Sequence, residues 1–160
     1  MAIRELLLDT FVHIPPAHAL TDLTAEDAVR APAAGMHSIA AILGHIEFWQ
    51  SWFLDRCEGQ GTPMPTTAAE GWPEVTAAQW LHVLGRFEGG LARAAALGED
   101  PDRLAAPIAP AIEFPPPLAH YTVRDALTHV AQHNSHHLGQ IILLRQWMGR
   151  WPPPQGSWTW

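Results

Sequence analysis

The stretch Thr122-Val-Arg-Asp-Ala-Leu-Thr-His129-Val-Ala-Gln-His133-Asn-Ser-His136-His137-Leu-Gly-Gln140-Ile-Ile-Leu-Leu144 decides the fold. At about 100° per residue, Val123, Leu127, Val130, Ile141 and Leu144 fall on one stripe, the mark of a helix with a buried face. Thr122 with Asp125 three residues on is an N-terminal cap, and Gly149 followed by Pro152-Pro153-Pro154 ends the helix after about Met148. His133 and His137 lie near the edge of the stripe, about 40° apart, and face the bundle. His129 and His136 project further toward the flank, with Gln140 between the two sets, as positioning donors or solvent contacts. Two histidines at i and i+4 can grip one metal ion through two imidazole nitrogens. The plainer alternative is a pair of hydrogen-bonded core histidines. Burial beside Val130 and Ile141 favours a metal, because it would satisfy both rings at once.

Working outward, no segment alternates like a half-buried strand, and the chain reads as all-α. A first helix is expected over residues 2–13, kinked or stopped by Pro15-Pro16. A short piece follows over 17–23, and Thr24 with Asp27 caps a brief turn. A long helix over 38–57 carries Ile39, Ile42, Leu43, Ile46, Phe53 and Leu54 at helical spacing, with Gly59 and Gly61 at its exit. Residues 58–76 read as a Gly-, Pro- and Thr-rich loop. Thr76 with Gln79 is a capping box that opens a third long helix over 77–97, where paired small residues permit close helix approach. The proline-rich segment 98–121, with one turn after Asp100, reads as an extended crossover. The expected architecture is a four-helix bundle with a long crossover, one domain over 1–160.

Composition narrows the function. The 160 residues are 48% hydrophobic, with 9 basic and 16 acidic side chains and a net charge of -7, which disfavours nucleic acid and anionic membrane surfaces. All nine basic residues are arginines, so Schiff-base chemistry on lysine and a Walker-type phosphate loop are excluded. One cysteine, Cys57, forms neither a disulfide nor a four-cysteine zinc site and fits a reducing cytoplasm. Leu6-Leu7-Leu8 is flanked by Glu5 and Asp9, so no signal peptide or membrane span is expected there. Glu-x-x-His pairs, His-Glu-x-x-His, Gly-x-Ser-x-Gly and Cys-x-x-Cys are all missing. Cys57, at the end of an apolar helix, reads as a packed hydrophobe rather than a nucleophile.

A third metal ligand has to come from another helix, and His45 is the best placed, on a flank with Trp49 and Trp52. Its alternative is a partly exposed histidine on an aromatic flank. His13, His18, His37 and His82 lie near helix starts or breaks and are weaker candidates. Trp49, Trp52, Trp80 and Trp147 fall on helices and are expected in the core, whereas Trp151, Trp158 and Trp160 either fold back over the bundle or pack on a second subunit.

His37-Ser38-Ile39, then Gly44-His45-Ile46, then Thr122-Val123-Arg124-Asp125 leading into His129, His133, Asn134, His136, His137, Gly139 and Gln140, together resemble the DinB (YfiT-like) superfamily. The likeness covers nearly the whole chain, and the last motif is its most specific part. It implies a four-helix bundle in which His45, His133 and His137 bind a divalent metal. Pro15-Pro16 departs from the family pattern inside the first helix. The resemblance also implies low-molecular-weight thiols as reactants and helix-mediated homodimers.

Three neutral histidines leave open coordination positions, as in catalytic zinc sites. Zinc or nickel suits such ligands best, and iron, manganese or cobalt is compatible. The leading expectation is a cytoplasmic metal-dependent transferase or hydrolase that activates a thiol or water toward a small molecule. Asn134, Gln140 and His136 are the expected supporting residues, and Glu47 points away and is no base. The competing readings are a non-catalytic metal-binding stress or sequestration protein, and a plain bundle with satisfied core histidines.

Overall fold

A computed structural model describes residues 3–8, 14–108 and 120–157. Its helices are α1 (Ile3–Leu8), α2 (Pro16–Leu20), α3 (Ala25–Val29), α4 (Ile39–Cys57), α5 (Trp80–Gly98), α6 (Pro101–Ala105) and α7 (Val123–Trp147). Among the described residues there is no strand, and no helix is long and apolar enough to cross a membrane. Helix α4 lies against α5 and α7, and α1 closes the bundle from the other side of those two helices.

The helix starts follow local chemistry. Ser38 Oγ accepts from Ala41 N at 3.1 Å, and Thr24 Oγ1 accepts from Asp27 N at 3.1 Å, so each start satisfies an amide that the helix leaves unpaired. Thr122 and Asp125 form a reciprocal capping box, as Thr76 and Gln79 do. The latter box opens a 3₁₀ turn over Ala77–Gln79 before α5 begins at Trp80. Asp100 caps the turn that becomes α6.

Two expectations need adjustment, and two more fall partly outside the described residues. The first helix is described only over Ile3–Leu8, and residues 9–13, including His13, lie outside the described chain. The second piece is Pro16–Leu20 rather than 17–23, because Pro16 takes the first helical turn, where its missing N–H costs nothing. The segment 58–76 is not loop throughout: Thr67 and Glu70 form a capping box around a 3₁₀ turn at Ala68–Gly71. Most of the crossover, residues 109–119, also lies outside the described chain. Its flanks meet, with Ile108 N donating to Tyr121 O at 3.1 Å and Val123 N to Ala106 O at 2.9 Å.

The predicted core stripes are buried. Val123, Leu127, Val130, Ile141 and Leu144 of α7 all face inward, as do Ile39, Ile42, Leu43, Ile46, Phe53 and Leu54 of α4, whereas Trp49 is only partly buried. Trp80 and Trp52 fill the core, but Trp147, at the last position of α7, is 62% exposed. Trp151 folds back, its ring beneath the Arg145 guanidinium. Trp158 and Trp160 lie outside the described residues. Arg145 is itself buried and donates to Ala19 O at 2.6 Å, Thr21 O at 2.9 Å and Arg150 O at 3.1 Å, tying α2 and the tail to α7. Cys57 is buried, and burial pushes its thiol up to about 12, which leaves it protonated and inert near neutral pH.

One polar contact sets the spacing of the three long helices. Buried Gln50 of α4 donates from Nε2 to Phe87 O of α5 at 2.9 Å and accepts at Oε1 from Asn134 Nδ2 of α7 at 2.9 Å. A Cβ at Gly90 would stand 2.1 Å from Gln50 Nε2, so only glycine leaves room for this bridge. A Cβ at Gly89 would meet nothing within 4 Å. Gly89→Ala is therefore expected to stabilise the protein by about 0.5–1 kcal/mol through helix propensity alone. Gly90→Ala is expected to destabilise it by about 2 kcal/mol, because displacing Gln50 leaves buried polar groups unpaired. Urea unfolding of the two variants beside the parent checks both signs.

Candidate metal centre

The side chains predicted to share a metal come together. His45 projects from the middle of α4, and His133 and His137 project one turn apart from α7. One ring nitrogen from each lies within 4.8 Å of the other two. His45 and His137 are buried and His133 partly so. His45 Nε2 and His133 Nε2 stand 3.2 Å apart. Ligands about 2.0–2.1 Å from a tetrahedral zinc are separated by about 3.3 Å, so this spacing suits a shared ion.

Hydrogen bonds set two of the tautomers. A carbonyl oxygen can only accept, so the 2.6 Å contact between His45 Nδ1 and Gly71 O places the proton on Nδ1 and leaves the Nε2 lone pair facing His133. His137 Nδ1 donates to Gln140 Oε1 at 2.7 Å, which frees Nε2 of that ring in the same way. Ligating histidines characteristically hold their second nitrogen like this. Burial also keeps the rings neutral and able to coordinate. Desolvation, then the charges of His137 and His45, pushes His133 down to about 3. Desolvation lowers His45 against the opposing pull of the Gly71 carbonyl, and lowers His137 against that of Gln140. Neutral imidazoles with converging lone pairs fit a divalent cation.

The loop after α4 builds one wall of the site. The Trp72 ring lies between His37, at 4.0 Å, and His45, at 3.8 Å, nearly parallel to both. The loop approaches α4 closely because Gly44, just before His45, has no side chain: a Cβ there would be 2.7 Å from Val75 Cγ2. Sequence reading missed Trp72 and the Gly71 carbonyl. The signal was present, since Thr67 and Glu70 form a capping box that ends at Gly71, but that segment reads as loop by composition.

Other expectations divide. Gln140 supports His137 as predicted, and His136 is exposed with its Nε2 3.4 Å from Gln140 Nε2. Asn134 does not support the site, because its amide is taken by Gln50 in the core. His129 packs against Phe53 and meets the Tyr121 hydroxyl at 3.2 Å, one turn away from the cluster. His45 is stacked on Trp72 rather than on Trp49 or Trp52, whose indoles turn to Gly71 and to Pro63 O. Glu47 turns from the histidines and pairs with Arg86 at 2.5 Å and Ser51 at 2.8 Å, so it serves no base role there.

Beside the histidines opens a cleft of about 440 Å³, with His137, Trp72 and Gln140 on one wall. That volume lies in the range of small-molecule sites, about 300–1,000 Å³. The family model of the DinB superfamily matches residues 17–141, a span that includes all three histidines. No curated protein and no solved structure gives a significant match.

The lowered histidines make acid sensitivity a consequence of this site. In the unfolded chain each histidine takes up a proton near pH 6.5, whereas folded His133 resists until about pH 3. The unfolded state therefore binds more protons between those values, and stability falls as pH drops through that window. Urea unfolding of the metal-free protein at pH 7.5, 6 and 5 is expected to show a falling midpoint, and His133→Leu is expected to flatten that slope.

Proposed function

Because the chain belongs to the DinB superfamily, we propose that His45, His133 and His137 together hold one divalent metal ion, zinc or nickel, and that the protein is a metal-dependent transferase or hydrolase acting on a small molecule. The observation that carries this reading is the convergence of three imidazole nitrogens, two with their tautomers fixed by Gly71 and Gln140. When bound, a divalent ion at three neutral ligands with open positions supplies Lewis acidity, which turns a thiol or water into a nucleophile near neutral pH.

The residues of the chain do the positioning. Gly71 O and Gln140 Oε1 hold two rings so that their Nε2 atoms face inward, and the cost of ordering them is met in folding rather than in binding. Trp72 covers the outer face of His45 and limits water there. The adjacent cleft gives a reactant room beside His137. That cleft favours catalysis over sequestration, since a storage site needs no space for a second ligand.

Elemental mass spectrometry on untagged protein is expected to find about one divalent ion per chain, and His133→Ala/His137→Ala to lose it with helical circular dichroism retained. Gln140→Leu leaves all three ligands in place and is expected to weaken metal affinity about 10-fold by freeing the His137 ring. Metal content unchanged in the double variant would sink the ligand assignment.

A further inference from the structure

We propose that the reactant held beside the three histidines carries an uncharged, apolar group, aliphatic or aromatic, which packs in the cleft between the Met36 loop and the C-terminal half of α7. This inference rests on the proposed metal function for what happens at the reactant's other end, but not for the cleft itself. The outer wall is formed by Leu143 and Met36, which are 63% and 53% exposed, and Ile42 and Leu144 close the floor. Two large apolar side chains left in water at the rim of one cleft mark a surface that gains from being covered. Trp72 and His137 form the inner wall, so a molecule lying along the cleft has one end at the histidine cluster.

Charge complementarity identifies the occupant. Among the described residues that line the cleft there is no arginine, aspartate or glutamate, and the chain has no lysine at all. Its polar groups are two imidazoles and the Gln140 amide, and the latter is committed to His137. A carboxylate or phosphate on the reactant would be desolvated there without a cationic partner, in a protein of net charge -7. A hydrocarbon group loses nothing by entering and removes Leu143 and Met36 from water. Carboxylated peptide thiols are therefore poor matches for this wall, and apolar thiols or other neutral apolar molecules are good ones.

The test uses the full chain with three probes: benzyl alcohol, benzyl mercaptan and mercaptoacetate. Benzyl alcohol is titrated into metal-free and metal-loaded protein by ligand-observed NMR, and the two thiols into Co2+-loaded protein by thiolate-to-metal absorption. The expected result is benzyl alcohol binding with or without metal, and benzyl mercaptan at least 10-fold tighter than mercaptoacetate. Leu143→Arg, at an exposed helical position, is expected to reverse the order of the two thiols, and Met36→Gln to weaken benzyl alcohol several-fold. Equal or tighter binding of mercaptoacetate to the parent overturns the proposal. So does benzyl alcohol failing to bind, and a dimer that Leu143→Arg dissociates would then name a second copy as the occupant. If benzyl alcohol binds and responds to the variants while Co2+ or both thiols do not, the metal and thiol reading falls and the apolar cleft stands.

Discussion

Three imidazoles, kept neutral by burial and facing one another at one point, are the constraint around which the bundle is arranged. They bring His133 Nε2 within 3.2 Å of His45 Nε2, close enough for one ring to donate to the other or for both to face a shared cation. Two bonds hold the cluster, from His45 Nδ1 to Gly71 O and from His137 Nδ1 to Gln140 Oε1, and each aims its ring by fixing where the proton sits. The energy comes from elsewhere. Leu127, Leu138 and Ile141 of α7 and Leu43 and Ile46 of α4 bury their side chains almost completely on either side of the cluster. At about 1.5–3 kcal/mol each, a few such residues offset the desolvation of the histidines.

Helix α4 reaches three environments at once, and its polar residues record each of them. His45 faces the other two histidines and the Trp72 loop, Gln50 bridges α5 and α7, and Glu47 pairs with Arg86 of α5. Each is buried, and each is hydrogen-bonded, as burial of a polar group in a bundle requires. Glycines adjust the distances: Gly44 admits the loop that brings Gly71 to His45, and Gly90 admits Gln50. A change of one methyl at either position acts on the site through helix spacing rather than through chemistry.

The cleft and the histidine cluster share walls but differ in character. The cluster is polar, neutral and internally satisfied, whereas the cleft is apolar and open, with Leu143 and Met36 uncovered. Small-molecule sites combine the two, with apolar walls for affinity and a few polar groups for orientation. The exposed Trp147 lies one turn beyond Leu143 on the same helix. The apolar surface therefore continues past the mouth of the cleft.

Periodicity and capping chemistry are local, and the sequence alone carried them. The stripe of α7, the caps at Thr24, Thr76 and Thr122, the all-α class, and the His133–His137 pair could all be read directly, because a helix places i and i+4 on one face whatever surrounds it. His45 was named as the best-placed third ligand from its position on the second long helix, and the family pattern pointed to the same residue. What the sequence could not decide depended on contacts distant along the chain. Trp72 stacks on His45 and Gly71 orients it only because Gly44 lets the loop come close. Asn134, read as a helper of the site, belongs to the core because Gln50 reaches it across the bundle. Trp147 is exposed although its spacing placed it inside, since a helix face is buried only where another element covers it. Local pattern names the residues that can serve a site. Packing between helices decides which of them meet.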